Sequence, residues 1–114
     1  MLMIRDPTYA RAWNRIGVLF SSKFKFREAI ECYTKAISID PELEIAWYNK
    51  GIALGLLSNY DGAIQAYNKT IELNPQFEDA WYGKGIALYH QSKYDEAIKA
   101  FDRDIELKPG DAEA

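Results

Sequence analysis

The only tryptophans of this chain, Trp13, Trp47 and Trp81, stand 34 residues apart, and that spacing constrains the fold more than any other feature of the sequence. Gly17, Gly51 and Gly85 keep the same step, as do Ala29, Ala63 and Ala97, and Pro7, Pro41, Pro75 and Pro109. A fixed period of roughly 20–50 residues marks stacked copies of one supersecondary unit, each completing its core against its neighbours. Such stacks present long continuous surfaces, so a binding scaffold is the first functional expectation.

Within one period the apolar residues follow helical spacing. Ala46, Trp47, Lys50, Gly51, Ala53, Leu54 and Leu57 form a stripe at i, i+4, i+7 and i+8. The polar break Ser58-Asn59 follows, and Asp61 stands where an N-cap would open a second helix with Ala63, Ile64, Tyr67, Ile71 and Leu73 on one side. Asn74-Pro75 ends that helix, because proline disfavours helical geometry before it and donates no hydrogen bond. The pattern places helices near 9–22, 27–39, 44–57, 61–73, 78–91 and 95–107. It predicts an all-α chain with units over 10–43, 44–77 and 78–111, a lead-in over 1–9, and the start of a fourth unit or a tail at 112–114. A mid-helix glycine costs up to about 1 kcal/mol relative to alanine, so three in one register imply that the paired helices approach closely. Each tryptophan is expected in the wedge between its own pair and the preceding one.

Charge and composition narrow the function. A net charge of −3 without a basic run argues against nucleic acid, which needs clustered Lys and Arg. Cys32 is the only cysteine and cannot form an internal disulfide, so a reducing, cytoplasmic setting is expected. The N-terminus becomes charged at Arg5 and Asp6 before a signal core develops, and the apolar stretch Gly51–Leu57 is too short for a membrane span. Membrane attachment is therefore not expected.

The repeated residues resemble the tetratricopeptide repeat, whose pattern runs Trp, two residues, Leu-Gly, two residues, Tyr, later Ala, three residues, Phe, then Pro. The first unit reads Trp13, Ile16-Gly17, Phe20, Ala29, Tyr33, Ala36, Pro41. The second reads Trp47, Lys50-Gly51, Leu54, Ala63, Tyr67, Thr70, Pro75, and the third Trp81, Lys84-Gly85, Leu88, Ala97, Phe101, Asp104, Pro109. The resemblance implies a right-handed α-solenoid of three stacked repeats whose first helices line a concave surface.

Departures from the pattern carry their own expectations. Lys50 and Lys84 replace leucine, so their stems should lie along the repeat interface with the amines in water. Phe24 stands in a turn where the family prefers glycine and later repeats have Ser58 and Ser92; local packing is expected there, with a contact role as the alternative. Thr70 and Asp104 replace the alanine seen at Ala36, and a buried unpaired aspartate is costly, so repeat three should lie near the end of the stack or keep this face wet. Without a polar cap the last helix would expose Ile98, Phe101 and Ile105, which makes dimerisation or domain swapping through that face the alternative function.

Catalysis finds little support. Cys32 and His90 are the sole nucleophile–base candidates, and the register puts them on helices two units apart. No His/Cys ligand cluster suggests zinc, and Gly51 and Gly55 lie inside a helix rather than in a phosphate-binding turn. Glu42, Glu44, Glu78 and Asp79 flank helix starts, where the dipole favours acids. No catalytic residue, metal or cofactor is assigned.

A binding surface is more legible. Turning about 100° from the core stripe of each first helix gives Asn14, Val18 and Ser21, then Tyr48, Ile52 and Gly55 beside Leu56, then Tyr82, Ile86 and Tyr89 beside His90. The resemblance puts this stripe on the concave wall. Tyrosines with apolar neighbours are common anchors for a protein or peptide ligand. The candidate partner-binding residues are Asn14, Val18, Tyr48, Asn49, Ile52, Tyr82, Ile86, Tyr89 and His90, in a groove that grows more aromatic toward repeat three. Tetratricopeptide domains that hold the acidic C-terminus of chaperones use Lys and Asn, then Asn, then Lys and Arg on successive repeats. The matching positions here are Asn14 and Val18, Asn49, then Asp79 and Gly83. Only Asn49 matches, leaving it a candidate for bonding a ligand backbone, and Asp79 would repel a carboxylate.

Overall fold

The computed structural model describes residues 6–108. Helix α1 (Pro7–Ser22) starts two residues earlier than the pattern predicts, because the Asp6 carboxylate accepts the Thr8 N–H at 2.8 Å and Pro7 takes the first helical position, where no donor is needed. It is followed by α2 (Phe26–Ile39), α3 (Glu44–Leu56), α4 (Tyr60–Leu73), α5 (Glu78–His90) and α6 (Tyr94–Leu107). The six helices form three antiparallel pairs, α1 on α2, α3 on α4 and α5 on α6, stacked through α2 on α3 and α4 on α5 into a body of 51 × 27 × 23 Å. This is an α-solenoid. The segment 109–114, which includes Pro109 and the predicted start of a fourth unit, lies outside the described residues. No described helix is long and apolar enough to cross a membrane.

Each pair closes through one turn, repeated three times. Phe24, Ser58 and Ser92 take left-handed backbone at φ 61, 64 and 62°. The N–H groups of Lys25, Asn59 and Lys93 then reach back to the carbonyls of Phe20, Leu54 and Leu88 at 2.8–3.0 Å, closing a Schellman turn. That conformation is why glycine suits the position. Phe24 does not pack locally as expected: it is 81% exposed, with its ring edge-to-face with Phe26 at 6.1 Å between centroids. The start of α4 also differs from expectation. Asn59, not Asp61, caps it by accepting the Gly62 N–H at 3.0 Å, whereas α2 and α6 open on Lys25 and Lys93 with no side-chain cap.

The three register glycines meet aromatic rings rather than backbone. A Cβ on Gly17 would stand 2.4 Å from Tyr33, one on Gly51 2.7 Å from Tyr67, and one on Gly85 2.6 Å from Phe101. Alanines at Ala29, Ala63 and Ala97 are buried in the partner helices, so each pair is held by a ring lying on a bare turn of helix.

The tryptophans mark the seams. The indole N–H groups of Trp47 and Trp81 donate to the carbonyls of Pro41 and Pro75 at 2.9 and 3.3 Å. Trp81 shares a cluster with Leu88, Ala97 and Ala100 and with Ile64 of the preceding pair, as expected. Trp13 departs from that expectation: it packs with Ala10, Ala36 and Ala46, on its own pair and the following helix, because no pair precedes it among the described residues. Lys50 and Lys84 fold back over their own tryptophans at 5.7 and 5.4 Å from the ring centroids, and burial pushes the Lys50 ammonium below its usual pKa. Thr70 is fully buried and satisfied by the Ala66 carbonyl at 3.1 Å. The Asp104 side chain is 15% exposed, with Oδ1 lacking a hydrogen-bond partner among the described residues and 3.7 Å from the Lys108 ammonium.

Candidate functional site

The two seams between repeats are built from the same register but end differently. Tyr33 of α2 lies on Gly17, and its hydroxyl shares a hydrogen bond of 3.1 Å with Ser21 at the end of α1. Asn49 of α3 donates through Nδ2 to Asn14 Oδ1 at 3.1 Å and ties the first helices together. One period later, Tyr67 of α4 lies on Gly51 in the same way. The position of Ser21 is now Gly55 and that of Asn49 is Gly83. Tyr67 therefore extends until its ring stands against Gly83, where a Cβ would lie 2.6 Å from Cζ. Its hydroxyl has no hydrogen-bond partner among the described residues, and burial, helped by Tyr48, pushes its pKa up.

Losing two side chains at the second seam opens a cavity of about 310 Å³ between α3, α4 and α5. Tyr48, Ile52, Gly55 and Leu56 come from α3, and Tyr60, Ala63 and Tyr67 from α4. Helix α5 adds Asp79, Tyr82, Gly83, Ile86, Ala87 and His90. The rings brace one another. Tyr48 tilts against Phe77 at 4.9 Å and Tyr67 at 6.0 Å between centroids, and Tyr60 stacks on His90 at 4.9 Å. The Tyr48 phenol is pushed up chiefly by burial, with the Asp79 charge adding and Lys108 opposing. A concave, mostly apolar space with a few convergent polar groups is the usual form of a ligand site.

Of the residues singled out from the sequence, Tyr48, Ile52, Tyr82, Ile86 and His90 meet in this cavity. Asn14 and Asn49 are engaged with each other, and Val18 is 37% exposed on α1. Tyr89 lies outside the cavity, 55% exposed and leaning on Tyr94 at 5.8 Å. Tyr60 and Tyr67 were not assigned to the groove by sequence, and Asp79 and Gly83 entered only as departures from the chaperone-tail clamp; the switch from Ser21 to Gly55 and from Asn49 to Gly83 was the available signal. At the other end, Ile98 and Ile105 are 56% and 52% exposed, but Phe101 is not exposed as expected. It occupies the position of Tyr33 and Tyr67, half-buried on Gly85 and against Tyr82 at 5.7 Å. Cys32 is buried, with its thiol pushed up mainly by that burial.

Family models described as tetratricopeptide repeat match residues 10–43, 32–65 and 57–112. Among solved structures, the first tetratricopeptide domain of Spaghetti (RPAP3), bound to the HSP90 peptide SRMEEVD, is 30% identical with a TM-score of 0.89, covering 91% of this chain and 82% of that one. The second such domain, bound to the same peptide, is 25% identical at TM-score 0.88, covering 91% and 96%. The crystal structure of MamA is 29% identical at TM-score 0.88; it matches 96% of this chain, which spans 64% of that longer one. No curated protein matches the sequence.

Proposed function

This chain belongs to the tetratricopeptide repeat family, and on that premise we propose that it is a non-catalytic protein–protein interaction scaffold receiving a peptide or helix in the cavity between α3, α4 and α5. The observation that carries the reading is the open second seam, where Gly55 and Gly83 leave the buried side chain of Tyr67 lining a mostly apolar cavity. The two similar domains solved with a bound peptide support a peptide as the class of ligand. A reducing, cytoplasmic setting is part of the same proposal, resting on the single buried thiol of Cys32.

Panning a displayed peptide library against the wild type and a Tyr82→Ala/Ile86→Ala variant tests the reading. These side chains are 52% and 36% exposed and can be truncated without opening the core, unlike Tyr48, which braces Phe77. Enriched peptides should lose at least about tenfold in affinity for the variant, the effect expected of anchor contacts. Enrichment only of peptides indifferent to both substitutions would overturn it.

A second reading rests on Ile98 and Ile105. Their counterparts Ile64 and Ile71 are partly buried against the next pair, so the exposed isoleucine pair on α6 is a stacking face left open among the described residues. Self-association through it would give a dimeric mass by light scattering that Ile98→Glu/Ile105→Glu abolishes. A monomer at high concentration in both proteins would remove this reading.

A further inference from the structure

We propose that the cavity at the second seam takes a basic side chain of the partner, arginine above all, with its stem along Ile52 and Ile86 and its cationic head at the end formed by Tyr48, Tyr67 and Asp79. This deepens the peptide-binding reading above and rests on it.

The chemistry at that end selects the ligand. Tyr67 is buried, with 6% of its surface exposed, lines the cavity and has no hydrogen-bond partner among the described residues, so its hydroxyl is free to bond a polar group of a ligand. Asp79 lies one helical turn before Gly83, the residue against which the Tyr67 ring stands, so Asp79 and the seat of that ring share one face of α5, roughly 5–6 Å apart as i and i+4 positions. Tyr48, whose ring centroid is 6.0 Å from that of Tyr67, lies close enough to Asp79 for the carboxylate charge to act on its phenol. The end of the cavity thus holds two tyrosine faces and one anion. A cation over a tyrosine face gains attraction from the ring, and a guanidinium adds planar stacking and several donors.

One resident cation already uses this anion. The Lys108 ammonium sits 3.3 Å from Asp79 Oδ1 and 3.7 Å from Asp104 Oδ1. The association of Lys108 with both acids raises its pKa, chiefly through the bond to Asp79. Glu78, Asp79 and Asp104 against Lys108 still leave the neighbourhood anionic. The Lys108 side chain is half-buried but Asp79, its partner, is 58% exposed, and such an ion pair is weak, so an incoming arginine competes with Lys108 rather than meeting a neutralised wall.

The test titrates the wild-type chain with capped tetrapeptides Ac-Leu-X-Leu-Leu-NH2, X being arginine, its neutral isostere citrulline, or glutamate, followed by amide shifts in two-dimensional NMR. The arginine peptide should shift Ile52, Gly83 and Ile86 and bind at least fivefold tighter than the citrulline peptide, with the glutamate peptide weakest. Asp79→Asn should erase the difference between arginine and citrulline, with arginine losing more affinity than citrulline. Lys108→Met should raise affinity for the arginine peptide two- to fivefold by freeing Asp79. Tyr67→Phe should weaken arginine and citrulline alike. Equal binding of all three peptides at those amides, or preference for glutamate, would overturn the cation assignment and leave the groove as a peptide site. No shift at those amides with any peptide would overturn both.

Discussion

Tyr33 and Tyr67 are the same residue one period apart, lying on equivalent glycines, yet one ends on a serine and the other on open space. At the first seam Ser21 satisfies the phenol, and the Asn14–Asn49 bond closes the gap between first helices. At the second, Gly55 and Gly83 remove both devices, and a cavity appears where the first seam has a polar lock. A repeat array can therefore acquire a site without changing its scaffold. The core residues hold the stack, and two positions beside them decide whether a seam is shut.

The comparison is broken most forcefully through the glycines. Gly17→Ala places a Cβ 2.4 Å from Tyr33 and should destabilise the chain by about 2–3 kcal/mol in urea unfolding, the cost of overpacking. Gly55→Ala meets nothing closer than Ala63 at 3.8 Å and should stabilise by up to about 1 kcal/mol through helix propensity. If both substitutions shift the midpoint alike, the rings are not what fixes the register glycines. Ser21→Ala comes next, expected to cost about 1–2 kcal/mol by orphaning the Tyr33 hydroxyl, whereas Tyr67→Phe should leave stability nearly unchanged because that hydroxyl has no bond to lose. A comparable loss in both would show that the seams are alike after all.

Gly55→Ser sharpens the same contrast by copying the first seam into the second. A serine there should reach the Tyr67 phenol, add about 1 kcal/mol of stability and suppress ligand binding in the cavity, read by thermal unfolding and by the peptide titration together. The smallest expected effect lies at the turns, away from both seams. Phe24→Gly should stabilise by about 0.5 kcal/mol, because relief of left-handed strain is partly offset by the entropy of glycine in the unfolded chain. Measurable loss of stability would instead reveal a packing role for the exposed ring.

Most of the architecture was legible because it depends on residues that recur. The 34-residue step placed the helix pairs, and an unexpected mid-helix glycine correctly implied a close neighbour, although not that the neighbour was the ring of Tyr33, Tyr67 or Phe101. The cavity was only half legible. A 100° rotation on the first helices found Tyr48, Ile52, Tyr82, Ile86 and His90, but it ignored α4, from which Tyr60 and Tyr67 reach in. It also included Tyr89, whose position in the last turn of α5 lets the ring lean toward Tyr94. Phe101 was misjudged for a related reason: helical spacing grouped it with Ile98 and Ile105, while the register already equated it with two buried tyrosines. Which helix face a residue covers depends on contacts 12 to 35 residues away, such as Ser21 with Tyr33 and Asn14 with Asn49, and no local pattern encodes them.

The indole bonds from Trp47 to Pro41 and from Trp81 to Pro75 span the same six residues at each seam, reaching from the first turn of one hairpin to the connector that delivers it. They act as a ruler for the superhelix. Inserting or deleting one residue inside that interval would swing the indole by about 100° off its carbonyl and change the pitch of every hairpin beyond it. Length variation is better tolerated elsewhere, so a lineage of such chains can vary the walls of its groove freely while the rise from one hairpin to the next stays fixed.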